Sequence, residues 1–395
     1  MTSDNTTASI LIIGAAQGIG RAIARTFAAN HYHVILADLS ESVHDTTQQN
    51  SLRLATWNLM HFGDGGGYDR SPESMLYIAE IIDHFDLVAL QEVNRDLTKL
   101  QELIDHHLGD EWDYLVTDTT GGGPSDRGPG NNERLAFLYR KAKVRFCNEA
   151  GEIVLPEGQK IVAPRADGSN TELQFARTPF SVAFRASWLK FKLCTVHIFY
   201  GKGAAGLAQR KAEIERLAQF LAKRQEDEAK AMVARARSRD WAKPEEAGWD
   251  SNLILLGDFN IISPEHETMK ALEQAGFDVP TALQTTNLGN DHHYDQIAIK
   301  AAHPGFKVLK SGVFDMFASV YRDEDAAYYV DEVKPPIIAK PGRDRAAQIA
   351  YFKRYYRVQQ MSDHKLLWTE LCVDYATEYL NGIIGTGSPD PGFTD

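Results

Sequence analysis

At 395 residues and 43% hydrophobic content, the chain exceeds one average domain and can bury a full core. Its 42 Lys and Arg against 54 Asp and Glu leave a net charge of −12, which excludes a global basic field for attracting nucleic acid. An enzyme that binds divalent cations escapes that exclusion, because bound ions supply positive charge locally. Cys147, Cys194 and Cys372 are odd in number and widely spaced, so neither a disulfide framework nor a CxxC metal pattern is expected, only buried reduced thiols. The start, Met1-Thr2-Ser3-Asp4, lacks the positive region of a signal peptide, and no apolar run reaches the roughly 18 residues of a membrane span. Cytoplasmic residence is the resulting expectation.

In chain order, Ser9 to Asp38 reads as strand, glycine turn, helix and strand. Ile10-Leu11-Ile12-Ile13 is followed by Gly14, Gly18 and Gly20, then a helical stretch from Arg21 to Ala29, then Val34-Ile35-Leu36-Ala37 ending at Asp38. Such glycines allow close approach to a pyrophosphate, and an acidic residue closing the second strand suits a ribose hydroxyl. The stretch resembles the opening of short-chain dehydrogenases, which makes Gly14, Gly18, Gly20 and Asp38 its candidate cofactor contacts. That resemblance covers about forty residues. Tyr139 and Lys143 have the Tyr-x-x-x-Lys spacing that family also needs, but they fall at an apparent strand end, where the match is accidental. A lone β-α-β fragment cannot enclose a dinucleotide, so NAD(P) binding is not expected. Residues 1–40 therefore read as a partial Rossmann-like fragment, 41–50 as a polar linker, 51–380 as the main domain and 381–395 as a polar tail.

Beyond the linker, strands are expected at Leu52 to Trp57, Leu87 to Leu90, Leu135 to Tyr139, Leu193 to Val196 and Leu253 to Leu256. Helical patterns run from Ser74 to Phe85 and, long and charged, from about Leu207 to Arg237. This alternation predicts an α/β fold of stacked sheet and helix layers. Gly63-Asp64-Gly65-Gly66-Gly67 and Gly121-Gly122-Gly123-Pro124 are flexible loops, each either substrate-facing or a plain connection. Lys334 to Arg357 is locally basic and leads into Ser362-Asp363-His364, so phosphate contact and a solvated charged face are both open there.

Polar residues gather where apolar strand-like runs end. Asn58 follows Ala55-Thr56-Trp57, Glu92 follows Val88 to Gln91, and His197 follows Cys194-Thr195-Val196. Gly257-Asp258-Phe259-Asn260 follows Leu253 to Leu256, and Asp295 precedes Ile297-Ala298-Ile299. Oxygen and amide ligands favour Mg²⁺ or Ca²⁺ over a soft metal, and histidine moves protons near neutral pH. Adjacent His292 and His293 would point to opposite faces of a strand, so they read as loop residues rather than a metal pair.

The ordered set Trp57-Asn58-Leu59, Gln91-Glu92-Val93, Asn132-Glu133-Arg134-Leu135, Arg177-Thr178-Pro179-Phe180, Val196-His197, Gly257-Asp258-Phe259-Asn260, Tyr294-Asp295-Gln296-Ile297 and Ser362-Asp363-His364 resembles the endonuclease/exonuclease/phosphatase superfamily. Its details are most similar to bacterial DNase-I-like nucleases of the membrane-nuclease type. The resemblance implies a four-layer α/β sandwich of the DNase I-like fold. It assigns Glu92, Asn58 and Asp363 to Mg²⁺, with Ca²⁺ or Mn²⁺ as alternatives. It makes His364, held by Asp295, the general base, and places His197, oriented by Glu133, at the leaving oxygen or the phosphate. Arg177 would clamp a phosphate oxygen, while Asp258 and Asn260 orient water and stabilise the phosphorane. The expected function is a metal-dependent phosphodiesterase, a DNA endonuclease of low sequence specificity, with nucleic acid as its partner. Three alternatives stand beside it: a phosphatase or phosphodiesterase on a nucleotide, lipid or other small phosphoester, an NAD-binding protein, and a catalytically idle interaction protein.

Overall fold

The computed structural model of the chain describes residues 9–13, 33–37, 51–63, 68–119, 133–164, 169–238, 248 and 250–374. Strands β1 (Ser9–Ile13) and β2 (His33–Ala37) pair in parallel, Ser9 opposite His33 and Ile13 opposite Ala37, where two apolar runs were expected to form strands. Gly14, Gly18, Gly20 and Asp38 lie outside the described residues, as do the linker 41–50, the loops at 64–67 and 121–124, and the tail 381–395.

The main body follows as β3 (Ser51–Phe62), α1 (Pro72–Asp83), β4 (Leu87–Asn94), β5 (Trp112–Val116), β6 (Glu133–Arg140), β7 (Arg145–Glu152), β8 (Ile161–Pro164), β9 (Asn170–Leu173), β10 (Phe180–Ala186) and β11 (Leu189–His197). It continues through α2 (Gly203–Ala236), β12 (Asn252–Asp258), α3 (Glu267–Gln274), β13 (Asp295–Lys300), β14 (Val308–Phe314), α4 (Arg345–Tyr351) and β15 (Leu366–Cys372). α1 starts where Ser71 accepts the Ser74 amide at 3.1 Å and Pro72 takes the first helical position, whose amide would lack a partner anyway. Two large sheets form, of order β14-β15-β3-β4-β6-β5 and β13-β12-β11-β10-β7, with β8 and β9 as a separate hairpin.

Three hydrophobic cores show that these are four layers. Between the sheets lie Leu52, Leu54, Leu87, Ala89 and Phe137 from one sheet against Val182, Phe184, Leu193, Leu256 and Ile297 from the other. Outside the six-stranded sheet, Trp57, Val88 and Leu90 pack on Met75, Ile78 and Ile82 of α1 and on the helical segments around Tyr329 and Phe352. Outside the five-stranded sheet, Cys194, Val196 and Leu255 pack on Ile214, Leu217 and Leu221 of α2 and on Met269 and Leu272 of α3. Each sheet is thus apolar on both faces, which is why its strands read as continuous rather than alternating runs. Cys194 is buried, while Cys147 and Cys372 are only partly covered, and none of the three forms a disulfide. Among the described residues no helix is long and apolar enough to cross a membrane.

Alternation along each strand places the polar residues. Successive side chains point to opposite faces, so residues of one parity share a face. Leu52 and Leu54 face the inter-sheet core, and so does Asn58; Leu193 and then His197, Leu256 and then Asp258, Ile297 and Asp295, Leu135 and Glu133 follow the same rule. At one end of the sandwich the inter-sheet layer therefore changes from apolar to polar. Register aligns the change: His197 pairs with Asp258 across β11 and β12, and Asp258 with Asp295 across β12 and β13.

Gly257 makes this alignment possible. Its φ is +132°, and an added Cβ would lie 2.2 Å from the Val196 carbonyl oxygen. A Gly257→Ala substitution is expected to destabilise the fold by about 1–3 kcal/mol or more, read as a lowered urea midpoint. An unchanged midpoint would show that β11 and β12 can separate at no cost.

Candidate functional site

The residues converge on Asp258 at the end of β12. Its Oδ1 accepts the Asn260 amide at 2.9 Å, and Asn260, at φ +55°, ties β11 back through Nδ2 to the Ile198 carbonyl at 2.8 Å. Asp258 Oδ2 faces inward, 3.1 Å from Asn58 Nδ2, 3.5 Å from His197 Nε2 and 3.7 Å from His364 Nε2. Two imidazoles thus present their outer nitrogens to one carboxylate oxygen.

Each imidazole has its own carboxylate at Nδ1. His364 Nδ1 lies 2.7 Å from Asp295 Oδ2, and His197 Nδ1 lies 2.9 Å from Glu133 Oε2. Such a partner favours the charged ring, and at His364, where it is hydrogen-bonded, it also fixes the tautomer. Burial opposes charge on His364, yet Asp295 and Asp258 outweigh it and raise its pKa well above the ordinary 6.5. At His197, burial and Arg177 oppose charge while Glu133 and Asp258 favour it, and the net direction is again upward. Glu133 is held well below the usual carboxylate range despite its burial, because His197 and Arg177 both favour its anion. The segment carrying His364 is anchored to β3: Trp57 Nε1 donates to the His364 carbonyl at 2.9 Å, and Ser362 Oγ to the Asn58 carbonyl at 2.6 Å.

Arg177 donates through Nε and Nη2 to Glu133 at 2.9 and 3.2 Å. It therefore braces the His197 carboxylate, in addition to any contact with phosphate that the sequence suggested. Asn58, expected beside the cation, has polar partners of its own. Its Oδ1 accepts the Met60 amide, and its Nδ2 donates to Glu92 Oε1 at 2.9 Å as well as to Asp258. In this arrangement Asn58 bridges two carboxylates, and Glu92 and Asp363, expected with it as cation ligands, offer hard oxygens close by. The donor set fits such a cation. Asp363 lies at the exposed rim, and enclosure by the walls together with the charges of Glu92 and Asp258 pushes its carboxyl above the usual range, although His364 opposes the shift. Like charges crowded in this way are what a divalent ion relieves. Asp258, Asp295 and His364 also bring one ligand atom each within 4.8 Å of one another. Within that group Asp295 and His364 are hydrogen-bonded to each other at 2.7 Å.

Three supporting residues went unnoticed in the sequence. Arg70, 3% exposed, donates to the carbonyls of Leu59, Met60, Tyr68 and Met361, joining the end of β3 to the segment before Ser362. No periodic pattern marks it. Arg210 and Glu213 of α2 did carry a signal, since both sit on the buried stripe with Ile214 and Leu217. Arg210 binds the carbonyls of Asn260, Phe199, Tyr200 and Gly201, holding the loop after His197. Glu213 Oε1 accepts the Ala176 amide at 3.3 Å, next to Arg177, and burial pushes its pKa up to about 8.

That shift has a sign. The unfolded chain releases this proton near 4.5 and the folded chain keeps it to about 8, so stability falls as pH rises through that window. Glu213→Gln keeps an acceptor for Ala176 and removes the titration. Its melting temperature is expected to gain on wild type steadily as pH rises from 4.5 to 8. Parallel curves for the two proteins would exclude a buried titrating Glu213.

Part of the basic stretch before Ser362 pairs with acidic residues that precede it. Arg345 pairs with Asp331 at 2.6 Å, and Arg357 and Lys353 with Asp323 at 2.6 and 3.4 Å. Arg343 lies 3.7 Å from the centre of the Tyr351 ring. His292 pairs with Asp291 at 2.8 Å, in keeping with its reading as a loop residue.

The fold and site define a hydrolase of phosphoester bonds. The endonuclease/exonuclease/phosphatase family model matches residues 55–301, well over half of the chain, and the chain belongs to that family. A short chain dehydrogenase model matches residues 8–59, agreeing with the resemblance of the first strands. No curated protein matches the chain significantly. Among solved structures, the chain is similar to an endonuclease/exonuclease/phosphatase family protein from Bacteroides thetaiotaomicron (20% identity, 82% of this chain and 98% of that one, TM-score 0.47). It is also similar to a mannosyl-6-phosphatase of the same organism (19%, 81% and 99%, 0.45) and to the human Nocturnin catalytic domain with bound sulfate (16%, 81% and 94%, 0.47).

Proposed function

We propose that the chain is a divalent-cation-dependent phosphodiesterase, with DNA cut at little sequence preference as the first reading of its substrate. One observation carries the chemistry: two buried imidazoles, each backed by its own carboxylate, aim Nε2 at the same Asp258 oxygen from 3.5 and 3.7 Å. Displacement at phosphorus needs a proton taken from water on one side and given to the leaving oxygen on the other. His364, backed by Asp295, takes the first part, and His197, backed by Glu133, the second. Asp258 and Asn260 orient the water between them. Glu92 and Asp363 would hold a divalent cation, which would supply Lewis acidity against the charge that builds on the phosphoryl oxygens. Residues 1–40 act as an appendage, and dinucleotide binding is not part of this function.

The pairing of Arg345, Lys353 and Arg357 with acidic residues favours a second reading, hydrolysis of a small phosphoester, because it lowers the positive charge offered to a DNA backbone. Supercoiled plasmid incubated with the protein and Mg²⁺, with EDTA as control, separates the two. EDTA-sensitive nicking is the expected result. Intact plasmid beside turnover of a nucleotide or sugar phosphate would replace the nuclease reading with the phosphatase one.

A further inference from the structure

A third imidazole stands at the mouth of the site. His61 follows Asn58 by three residues on β3, and its side chain is 44% exposed. Its backbone amide donates to Glu92 Oε2 at 3.1 Å, and its ring Nδ1 lies 3.7 Å from the same oxygen. That separation is too long for a hydrogen bond. The Tyr68 ring, 4.7 Å away between centroids, limits where the imidazole can turn.

The backbone is unusual here. Met60 and His61 have φ of +44° and +55°, and Glu92 has φ of +58°. Left-handed conformations are unfavourable for non-glycine residues and persist where the surroundings over-determine them. Arg70 supplies that constraint on one side by binding the Leu59 and Met60 carbonyls. The strain brings an imidazole nitrogen and a carboxylate oxygen side by side at the surface of the site.

We propose that His61 Nδ1 is a nitrogen ligand to the cation held at Glu92, making this site selective for a borderline transition-metal ion over Mg²⁺. The inference rests on the reading of Glu92 as a cation ligand. Two donors at about 2.1 Å from one tetrahedral ion sit about 3.4 Å apart, so a few tenths of an ångström of closure suffice. Oxygen-only sets suit Mg²⁺ and Ca²⁺, whereas an added imidazole raises affinity for Co²⁺, Ni²⁺ or Zn²⁺. A protonated His61 paired with Glu92 would act in the opposite way, competing with any cation.

Calorimetric titration of the full chain with Co²⁺ and, separately, Mg²⁺ tests this in wild type, His61→Ala and Glu92→Gln. His61→Ala is expected to weaken Co²⁺ by about tenfold or more, change Mg²⁺ little, and alter the visible absorption of bound Co²⁺. Glu92→Gln is expected to weaken both ions. An unchanged ratio of Co²⁺ to Mg²⁺ affinity in His61→Ala overturns the nitrogen ligand, and tighter binding of both ions identifies His61 as a competing cation instead. Undiminished binding to Glu92→Gln would remove the cation site itself, and the inference with it.

Discussion

His364→Ala is expected to lower kcat/KM by about 10²–10⁴-fold, the usual cost of removing a positioned proton-transfer group. The change leaves the backbone bonds of the segment in place, since Trp57 binds the His364 carbonyl and Ser362 Oγ accepts the His364 amide. The variant should therefore still fold, melting below wild type by what the buried Asp295 pair contributed, and the loss of turnover should be read at a temperature where both proteins are folded. The pH profile gives an independent check. A base must be neutral to accept a proton, and Asp295 and Asp258 hold the His364 pKa well above 6.5, so the acidic limb of kcat/KM lies above that value. Asp295→Asn removes a charge that raises it and moves the limb to lower pH. A limb that stays in place would mean that another group titrates. The same shift bears on stability. Because the folded pKa is the higher one, the contribution of the pair is full below about 6.5 and fades as pH rises through the folded value.

Glu92→Gln should be comparably damaging to activity and opposite in its effect on the fold. Losing several kcal/mol of cation stabilisation, at about 1.4 kcal/mol per tenfold, costs about 10²-fold or more in turnover. Without a cation, however, the variant is expected to melt at or above the wild-type temperature, because one of the charges crowding Asp363 is gone. The rise in melting temperature on adding Mg²⁺ or Co²⁺ should shrink or vanish with it. A variant that melts well below wild type in EDTA, yet still gains from added metal, would make Glu92 a structural residue.

Much of the architecture was legible in the order of the strands. Apolar runs near Leu52, Leu87, Leu135, Leu193 and Leu253 are strands in the structure, each longer than expected by a few residues at its ends. Some of those extra residues, such as Asp258 in β12 or Glu133 in β6, are polar, and there polarity hid the strand character. The long helix was foreseen at about Leu207 to Arg237 and found at Gly203–Ala236. Parity was also available: Asn58, Glu133, His197, Asp258 and Asp295 each lie an even step from the inward-facing residues of their own strand.

Glu92 breaks that rule. By parity it should share the outer face with Val88 and Leu90, and the register shift of β4 against β6 between Leu90 and Val93, with φ of +58° at Glu92, turns it toward Asn58. A bulge is a property of paired strands, so no single run of residues announces it. The same holds for Arg177 on Glu133, for Asn58 donating to two carboxylates, and for the basic residues that found acidic partners such as Asp323 and Asp331. Which ion pairs form depends on side chains tens to hundreds of residues apart.

What the amino-acid order by itself determined is the class: stacked α/β layers, and a hard-cation and histidine chemistry placed at strand ends, because period-two alternation and residue type are local properties. What only the tertiary structure decided is the circuit, with two histidines on one Asp258 oxygen, a carboxylate behind each, and His61 drawn against Glu92. Those are distances between separate strands and loops, set by sheet register and by strained backbone at Met60, His61, Glu92 and Gly257, and they come into being only when the two sheets close on each other.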